Sequence, residues 1–249
     1  MNSDWLDEDA VEIFGAKSDD AGRFLKYVYD IDSGLYLAPL PPPEEQSSLM
    51  HAAKYITKDV HTNPITAIFD TGMLYEHPLL EGTIIDGINY SSESDLSDHC
   101  GHGTQVALIA RVRSIYEPRF LNVKVANAFG AGKPRDLIAG LRWLTNYQQS
   151  HQNQNIIANL SLGVFSKRWL ALDCKGYCPV CEAAVEASKA GIFILAAAGN
   201  TPGKTACPAA AGLYRPDSQI VAVTLPGEQC GIGNFESVNR DVWVPIKKV

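Results

Sequence analysis

From Pro64 onward the chain alternates two kinds of apolar pattern. Short, nearly unbroken apolar runs fall at residues 65–69, 120–125, 156–161, 192–197, 219–224 and 242–245, and they read as strands. Between them lie segments whose apolar residues recur at helical spacing. Residues 102–112 form one. Pro134 opens a second that runs through Tyr147, with Leu137, Ile138, Leu141 and Leu144 on one face. Proline suits a first helical turn, where an N–H has no intrahelical partner to lose. Residues 180–190 form a third, stopped by Gly191. Apolar strands that do not alternate with polar positions are buried on both faces, and intervening helices join such strands in parallel. The pattern predicts an α/β fold of three layers, with a mainly parallel central sheet and helices on both faces.

Residues 1–60 are different. A polar start leads to the aromatic stretch Phe24-Leu25-Lys26-Tyr27-Val28-Tyr29 and then to Pro39-Leu40-Pro41-Pro42-Pro43, a stiff linker by composition. A short helix is expected over 48–58. The chain thus divides into an unassigned extension, 1–60, and a larger unit, 61–249. At 249 residues and 46% hydrophobic it can bury one large core. A net charge of -7 leaves no basic excess to neutralise phosphates, so neither a nucleic acid nor a membrane surface is an expected partner. The start Met1-Asn2-Ser3-Asp4-Trp5-Leu6-Asp7-Glu8-Asp9 has no apolar core of a secretory signal. The longest apolar run, 191–198, falls far short of the roughly 20 residues that span a bilayer. The expected location is cytoplasmic, with the six cysteines reduced.

Four short phrases carry candidate chemistry. Asp70-Thr71-Gly72 follows the strand at 65–69, and reactive groups gather at the carboxyl ends of parallel strands. There an aspartate can orient an imidazole. His102, between Gly101 and Gly103, starts a helix whose dipole disfavours the charged ring and so suits a base. His99 is nearby but outside that frame. Ala196-Ala197-Ala198-Gly199-Asn200 ends a strand in a side-chain amide, and one amide aimed at an oxyanion is worth roughly 3–4 kcal/mol in acyl transfer. Asn159-Leu160-Ser161-Leu162-Gly163 can offer a strand edge to an extended peptide. Each phrase alone also reads as plain structure: a turn, a capping histidine, a Gly-Asn turn, a core strand.

Together and in this order, the four resemble the subtilisin-like serine peptidases, the subtilases, over about residues 65–244. Asp70, followed by His77-Pro78-Leu79-Leu80, is similar to the family's aspartate block. Gly101-His102-Gly103-Thr104-Gln105-Val106-Ala107 is similar to its histidine block, with Gln105 where a second histidine is usual. Val123-Lys124-Val125 and residues 159–163 resemble the strands that flank and bind substrate, which makes Ser161, Leu162 and Gly163 substrate-binding candidates. Asn200 resembles the oxyanion asparagine. Cys207-Pro208-Ala209, residues 220–224, Asn234-Phe235-Glu236-Ser237 and residues 242–245 follow as in the family. The resemblance implies that Asp70 orients His102, that His102 acts as general base and then acid, and that the substrate is an extended peptide or protein.

The family's next block, a Gly-Thr-Ser opening a buried helix, does not occur in these 249 residues. Ser91, Ser92, Ser94, Ser97, Ser161 and Ser237 lack the sharp turn into a helix that activates a nucleophile. The expectation is a subtilisin-like fold incomplete at its C-terminus, with an apolar groove left open and an incomplete triad. Such a chain is inactive alone, and a second polypeptide can supply the missing segment. The alternative is a non-catalytic pseudo-protease that binds peptides or regulates. A metal hydrolase built on Asp98, His99 and His102 is disfavoured, because the His-Glu-x-x-His spacing is lacking.

Cys174, Cys178 and Cys181 form a C-x3-C-x2-C cluster. Three thiols this close can bind zinc, with Cys100, His99 or another distant group as fourth ligand. A reduced cysteine-rich loop is the first reading, and a disulfide is a third. An iron–sulphur motif shares the spacing but belongs to a different barrel. Cys207 and Cys230 read as single buried or loop thiols. No other cofactor is expected.

Overall fold

The structure is a computed structural model and describes residues 4–7, 11–13, 64–114, 117–164, 174–199 and 205–223. Its central sheet has six strands. In chain order they are β2 (Ile65–Asp70), β3 (Ile84–Asn89), β4 (Arg119–Lys124), β6 (Ile156–Leu160), β8 (Phe193–Ala197) and β9 (Ile220–Val223). The spatial order is β3-β4-β2-β6-β8-β9, and every pairing is parallel. The chain leaves β2 toward β3 and β4, then recrosses β2 to reach β6. The winding therefore reverses around β2, and the crevice at such a reversal opens at the carboxyl ends of the strands. Asp70 is the last residue of β2.

Strand alternation sorts the core into the two faces of the sheet. Ile65, Ala67, Phe69, Leu121 and Val123 join the larger cluster. The same cluster holds Leu137, Leu141 and Leu144 of α2 (Pro134–Ser150) and Val180, Ala184 and Ala187 of α3 (Pro179–Lys189). Ile68 and Phe120 point the other way, into a smaller cluster with Ala107 and Leu108 of α1 (His102–Arg113). Among the described residues, α1 covers this second face over β2 and β4. On β6, β8 and β9 the positions in the larger cluster alternate with half-buried ones: Ile157 and Asn159, Phe193, Leu195 and Ala197, Val221 and Val223. Register sets these side by side, with Ile157 opposite Phe193 and Leu195 opposite Val221. The sequence predicts helices on both faces, and the described helices lie on both, α2 and α3 against the larger cluster and α1 against the smaller.

A second sheet of three strands is antiparallel, in the order β5 (Ala131–Gly132), β1 (Val11–Ile13), β7 (Leu162–Val164). The strand expected over 156–161 therefore breaks at Ser161, and its continuation turns into this sheet. The extension supplies the middle strand, and Val11 is fully buried in the larger core. Besides β1 and β5, β3 and a short helix have no counterpart in the sequence reading. β3 is an edge strand with exposed positions and a register shift, so it lacks the apolar run that marks its neighbours. The short helix α4 (Ala209–Tyr214) is mostly alanine and carries little periodicity. The helix at 48–58 and the strand at 242–245 lie outside the described residues. Among the described residues no helix is long and apolar enough to cross a membrane.

Leu141 is fully buried on α2. Leu141→Ala removes its transfer free energy and leaves a cavity, so unfolding free energy falls by about 2–5 kcal/mol. Urea unfolding reads this as a lower midpoint at unchanged slope.

Candidate active site

Asp70 and His102 meet inside the protein. Asp70 ends β2 and His102 begins α1, each about 5% exposed or less. His102 Nδ1 lies 2.7 Å from Asp70 Oδ1. A carboxylate only accepts hydrogen bonds, so Nδ1 is the donor and the neutral ring keeps its lone pair on Nε2. The Thr71 amide also donates to Asp70 Oδ1, at 2.8 Å.

The approach of these two residues depends on glycine. A Cβ on Gly103 would stand 2.2 Å from the Gly72 carbonyl oxygen and 3.0 Å from Asp70 Cβ. Any larger residue would push the start of α1 away from the end of β2. Gly72 has φ of 110°, a left-handed conformation that glycine adopts without strain, and this lets the chain turn directly after Asp70-Thr71.

Asp98 holds the arrangement together. Its buried carboxylate accepts from the Cys100, Gly101 and Thr104 amides at 3.0, 2.7 and 2.8 Å. It also accepts from the Thr71 and Thr104 hydroxyls at 2.8 and 2.7 Å. The Thr71 hydroxyl has a single hydrogen, which goes to Asp98. Thr71 Oγ1 in turn accepts from the Gly103 amide at 3.0 Å. The orphan amides of the first turn of α1 are thereby met from outside the helix, and the Asp70 loop is tied to the His102 loop by the same atoms. Gly101, at the N-cap, offers no side chain for this task. Sequence reasoning placed Asp98 only in a disfavoured metal set, whereas the structure commits its carboxylate to hydrogen bonds. His99 sits apart, exposed and paired with Asp95 at 3.1 Å. An Asp a few residues before a helix start is a capping signal, and that signal was available in Asp98-His99-Cys100-Gly101.

The neighbouring loop is also fixed. Lys124, opposite Asp70 in the register of β4, is fully buried. Its ammonium pairs with Glu93 Oε2 at 2.7 Å and donates to the Ser97 carbonyl at 2.5 Å. Asn122 Nδ2 donates to the Leu96 carbonyl at 3.0 Å. Cys100 is buried beside Asp98 and Asp70, and desolvation pushes its thiol up to about 11.

Of the substrate-binding candidates, Leu162 and Gly163 lie in β7 and Ser161 lies at the break between β6 and β7. Ser161 Oγ accepts from Asn159 Nδ2 at 3.0 Å. The edge of β7 is taken by the chain's own β1, with Val11 opposite Val164, Glu12 opposite Gly163 and Ile13 opposite Leu162. On its other side β1 pairs with β5. Asn200 lies outside the described residues, as do Ser237 and Cys230. Cys174, Cys178 and Cys181 come together, and the fourth sulphur beside them is that of Cys207. Cys207 is thus not the single thiol read from the sequence. Its partners are 26 or more residues away, and only the fold brings them near.

The arrangement is a three-layer α/β fold with a carboxylate-oriented imidazole at the carboxyl edge of a mainly parallel sheet, beside an antiparallel strand pairing. Residues 61–227 match the Subtilase family, and the chain belongs to that family. It is 32% identical over 154 residues to the subtilase-type proteinase RRT12 of Saccharomyces cerevisiae, covering 59% of this chain and 29% of that protein. Serine protease AprX of Bacillus subtilis is 34% identical over 170 residues, 63% of this chain and 34% of that protein. Subtilisin-like protease 9 of Arthroderma otae is 37% identical over 135 residues, 53% of this chain and 31% of that protein. The chain thus spans roughly a third of the length of these relatives. Among solved structures, sphericase aligns with 70% of this chain and 59% of its own, at 22% identity and a TM-score of 0.46.

Asp98→Ala leaves several buried donors without an acceptor at once. Each such group costs about 1–3 kcal/mol, less where water enters, so the variant loses about 3–5 kcal/mol of unfolding free energy in urea. Cys100, with its thiol near 11, is about 0.1% thiolate at pH 8. Iodoacetamide at that pH therefore leaves it unmodified in the native protein and alkylates it once urea is added, as peptide mass mapping shows.

Proposed function

We propose that this chain is the acid–base and substrate-strand portion of a subtilisin-like serine peptidase, acting on an extended peptide or protein. The observation that carries this reading is the 2.7 Å contact from His102 Nδ1 to Asp70 Oδ1, buried at the carboxyl end of β2. In the proposed mechanism Asp70 holds the ring in the tautomer that leaves Nε2 basic, and it stabilises the imidazolium that forms. His102 Nε2 takes the proton of a serine hydroxyl as that oxygen attacks the peptide carbonyl, then returns it to the leaving amine. The Asn200 amide donates to the oxyanion.

The nucleophile lies outside the 249 residues on this reading, in further sequence or in a second polypeptide. The half-buried row from Ile157 to Val223 supports this: it is the surface that a helix following the nucleophile would cover. The chain as given then binds peptide and does not cleave it.

A second reading is a non-catalytic module that holds extended peptides, and a specific observation favours it. β1 lies between β5 and β7 and pairs antiparallel with both, which is how an added peptide strand binds. The molecule fills this place with its own Val11–Ile13.

A fluorophosphonate probe, which phosphonylates activated serines, tests both readings. The 249-residue chain stays unlabelled. The protein isolated from its native source, together with whatever is bound to it, labels at a serine beyond this sequence, and His102→Ala abolishes the signal. Labelling of the 249-residue chain that vanishes in His102→Ala overturns the placement of the nucleophile. If the native protein never labels, yet deletion of residues 1–13 raises its affinity for a fluorescent extended peptide about tenfold or more by anisotropy, the binding module is the correct reading.

A further inference from the structure

We infer that Cys174, Cys178, Cys181 and Cys207 hold one zinc ion in a closed structural site. The four Sγ atoms all lie within 4.8 Å of one another. Cys178, Cys181 and Cys207 are buried and Cys174 is half-buried. Cys174 Sγ and Cys181 Sγ are 3.9 Å apart. A regular tetrahedron of thiolates around zinc, with bonds of about 2.3 Å, has edges of about 3.8 Å. A disulfide draws its two sulphurs to about 2.05 Å, and two disulfides would divide the four into close pairs. In a four-iron cluster each cysteine binds a different iron, which spreads the sulphurs farther apart than these. The group suits a single tetrahedral ion.

The backbone around the cysteines has the form of a metal-binding loop. Cys178 is the N-cap of α3, and its Sγ accepts from the Cys181 amide at 3.5 Å, so an N–H and a helix N-terminus both face the sulphurs. Gly176, with φ of 81°, turns the chain between Cys174 and Cys178. The spacing C-x3-C-x2-C lies in the range of zinc ligand pairs. A Zn(II) tetrathiolate carries net negative charge, and two cations border this loop. Lys175 lies over the Tyr214 ring at 4.8 Å, and Arg215 lies over Tyr177 and donates to the Gly176 carbonyl.

Binding exchanges four S–H bonds for four Zn–S bonds and releases up to four protons to solvent, with no change of oxidation state. Four protein ligands leave no open position, so the ion has a structural role. It fastens the start of α3 to Cys207, whose carbonyl accepts from the Val164 amide of β7 at 2.9 Å. The ion thus braces the strand that pairs with β1. The site itself stands on the cysteines and does not depend on the peptidase reading.

The test is made on the 249-residue chain, purified with a thiol reductant and without chelator. Plasma mass spectrometry gives close to one zinc per chain. Zinc-edge X-ray absorption of the unaltered protein gives four sulphur neighbours at about 2.3 Å. Cys207→Ser and Cys181→Ser lose most of the metal, Cys100→Ser retains it, and a strong chelator lowers Tm of the unaltered chain but not of a metal-free variant. Cobalt(II) in place of zinc gives the intense visible bands of a tetrahedral tetrathiolate. Iron in place of zinc, nitrogen or oxygen neighbours in the absorption spectrum, a metal-free chain with all four thiols free, or an intact mass showing paired disulfides would each overturn the inference.

Discussion

A carboxylate taken out of water has to be met by donors, and the Asp98 carboxylate is met by amides and hydroxyls from both loops that form the candidate site. Those donors are the reason for the geometry. Thr71 follows Asp70, and Cys100, Gly101 and Thr104 bracket His102. Satisfying one buried charge therefore fixes the end of β2 against the start of α1. The two glycines remove the side chains that would prevent the approach. The His102–Asp70 contact is the outcome of these constraints more than their cause. A single 2.7 Å hydrogen bond could not hold two loops that the backbone kept apart.

What was legible in the sequence follows the same physics. Strands β2, β4, β6, β8 and β9 are read from unbroken apolar runs, since a central parallel strand is buried on both faces and has no polar alternation. The helices α1, α2 and α3 are read from periodicity and from Pro134 and Gly191 as punctuation. β3 was missed because an edge strand is only partly buried, and Asp86, Gly87 and Asn89 interrupt its pattern. Residues 156–161 read as one strand, although Ser161 divides two sheets. Strand direction after a break is set by tertiary pairing and leaves no local mark. Asp70 and His102 stand out because their small neighbours, Thr71-Gly72 and Gly101/Gly103, are short-range requirements of the site. Cys207 did not, since its role exists only once α3 and the segment before α4 have packed together.

The small antiparallel sheet ties residues 11–13 of the extension to the larger unit. β1 is three residues long, and a strand that short is stable only when both of its edges are paired and a face is buried. β5 and β7 pair with the two edges, and Val11 enters the larger core. Main-chain pairing of this kind makes few demands on sequence, which explains why nothing in Val11-Glu12-Ile13 advertised it.

The two sides of the molecule differ in how completely they are determined. Around β2 and β4, α1, the Asp98 hydrogen bonds and the Lys124–Glu93 pair fix the positions of Asp70 and His102. Over β6, β8 and β9 the same face of the sheet is only half-buried. Acid–base geometry organised before a nucleophile is in place costs no rearrangement at the moment of reaction, and such preorganisation is the main source of electrostatic catalysis. On the proposed peptidase reading, the group that attacks has only to reach an imidazole already oriented by Asp70. The pair therefore retains its form whether that group is a serine, in a peptidase, or nothing at all, in a module that only binds.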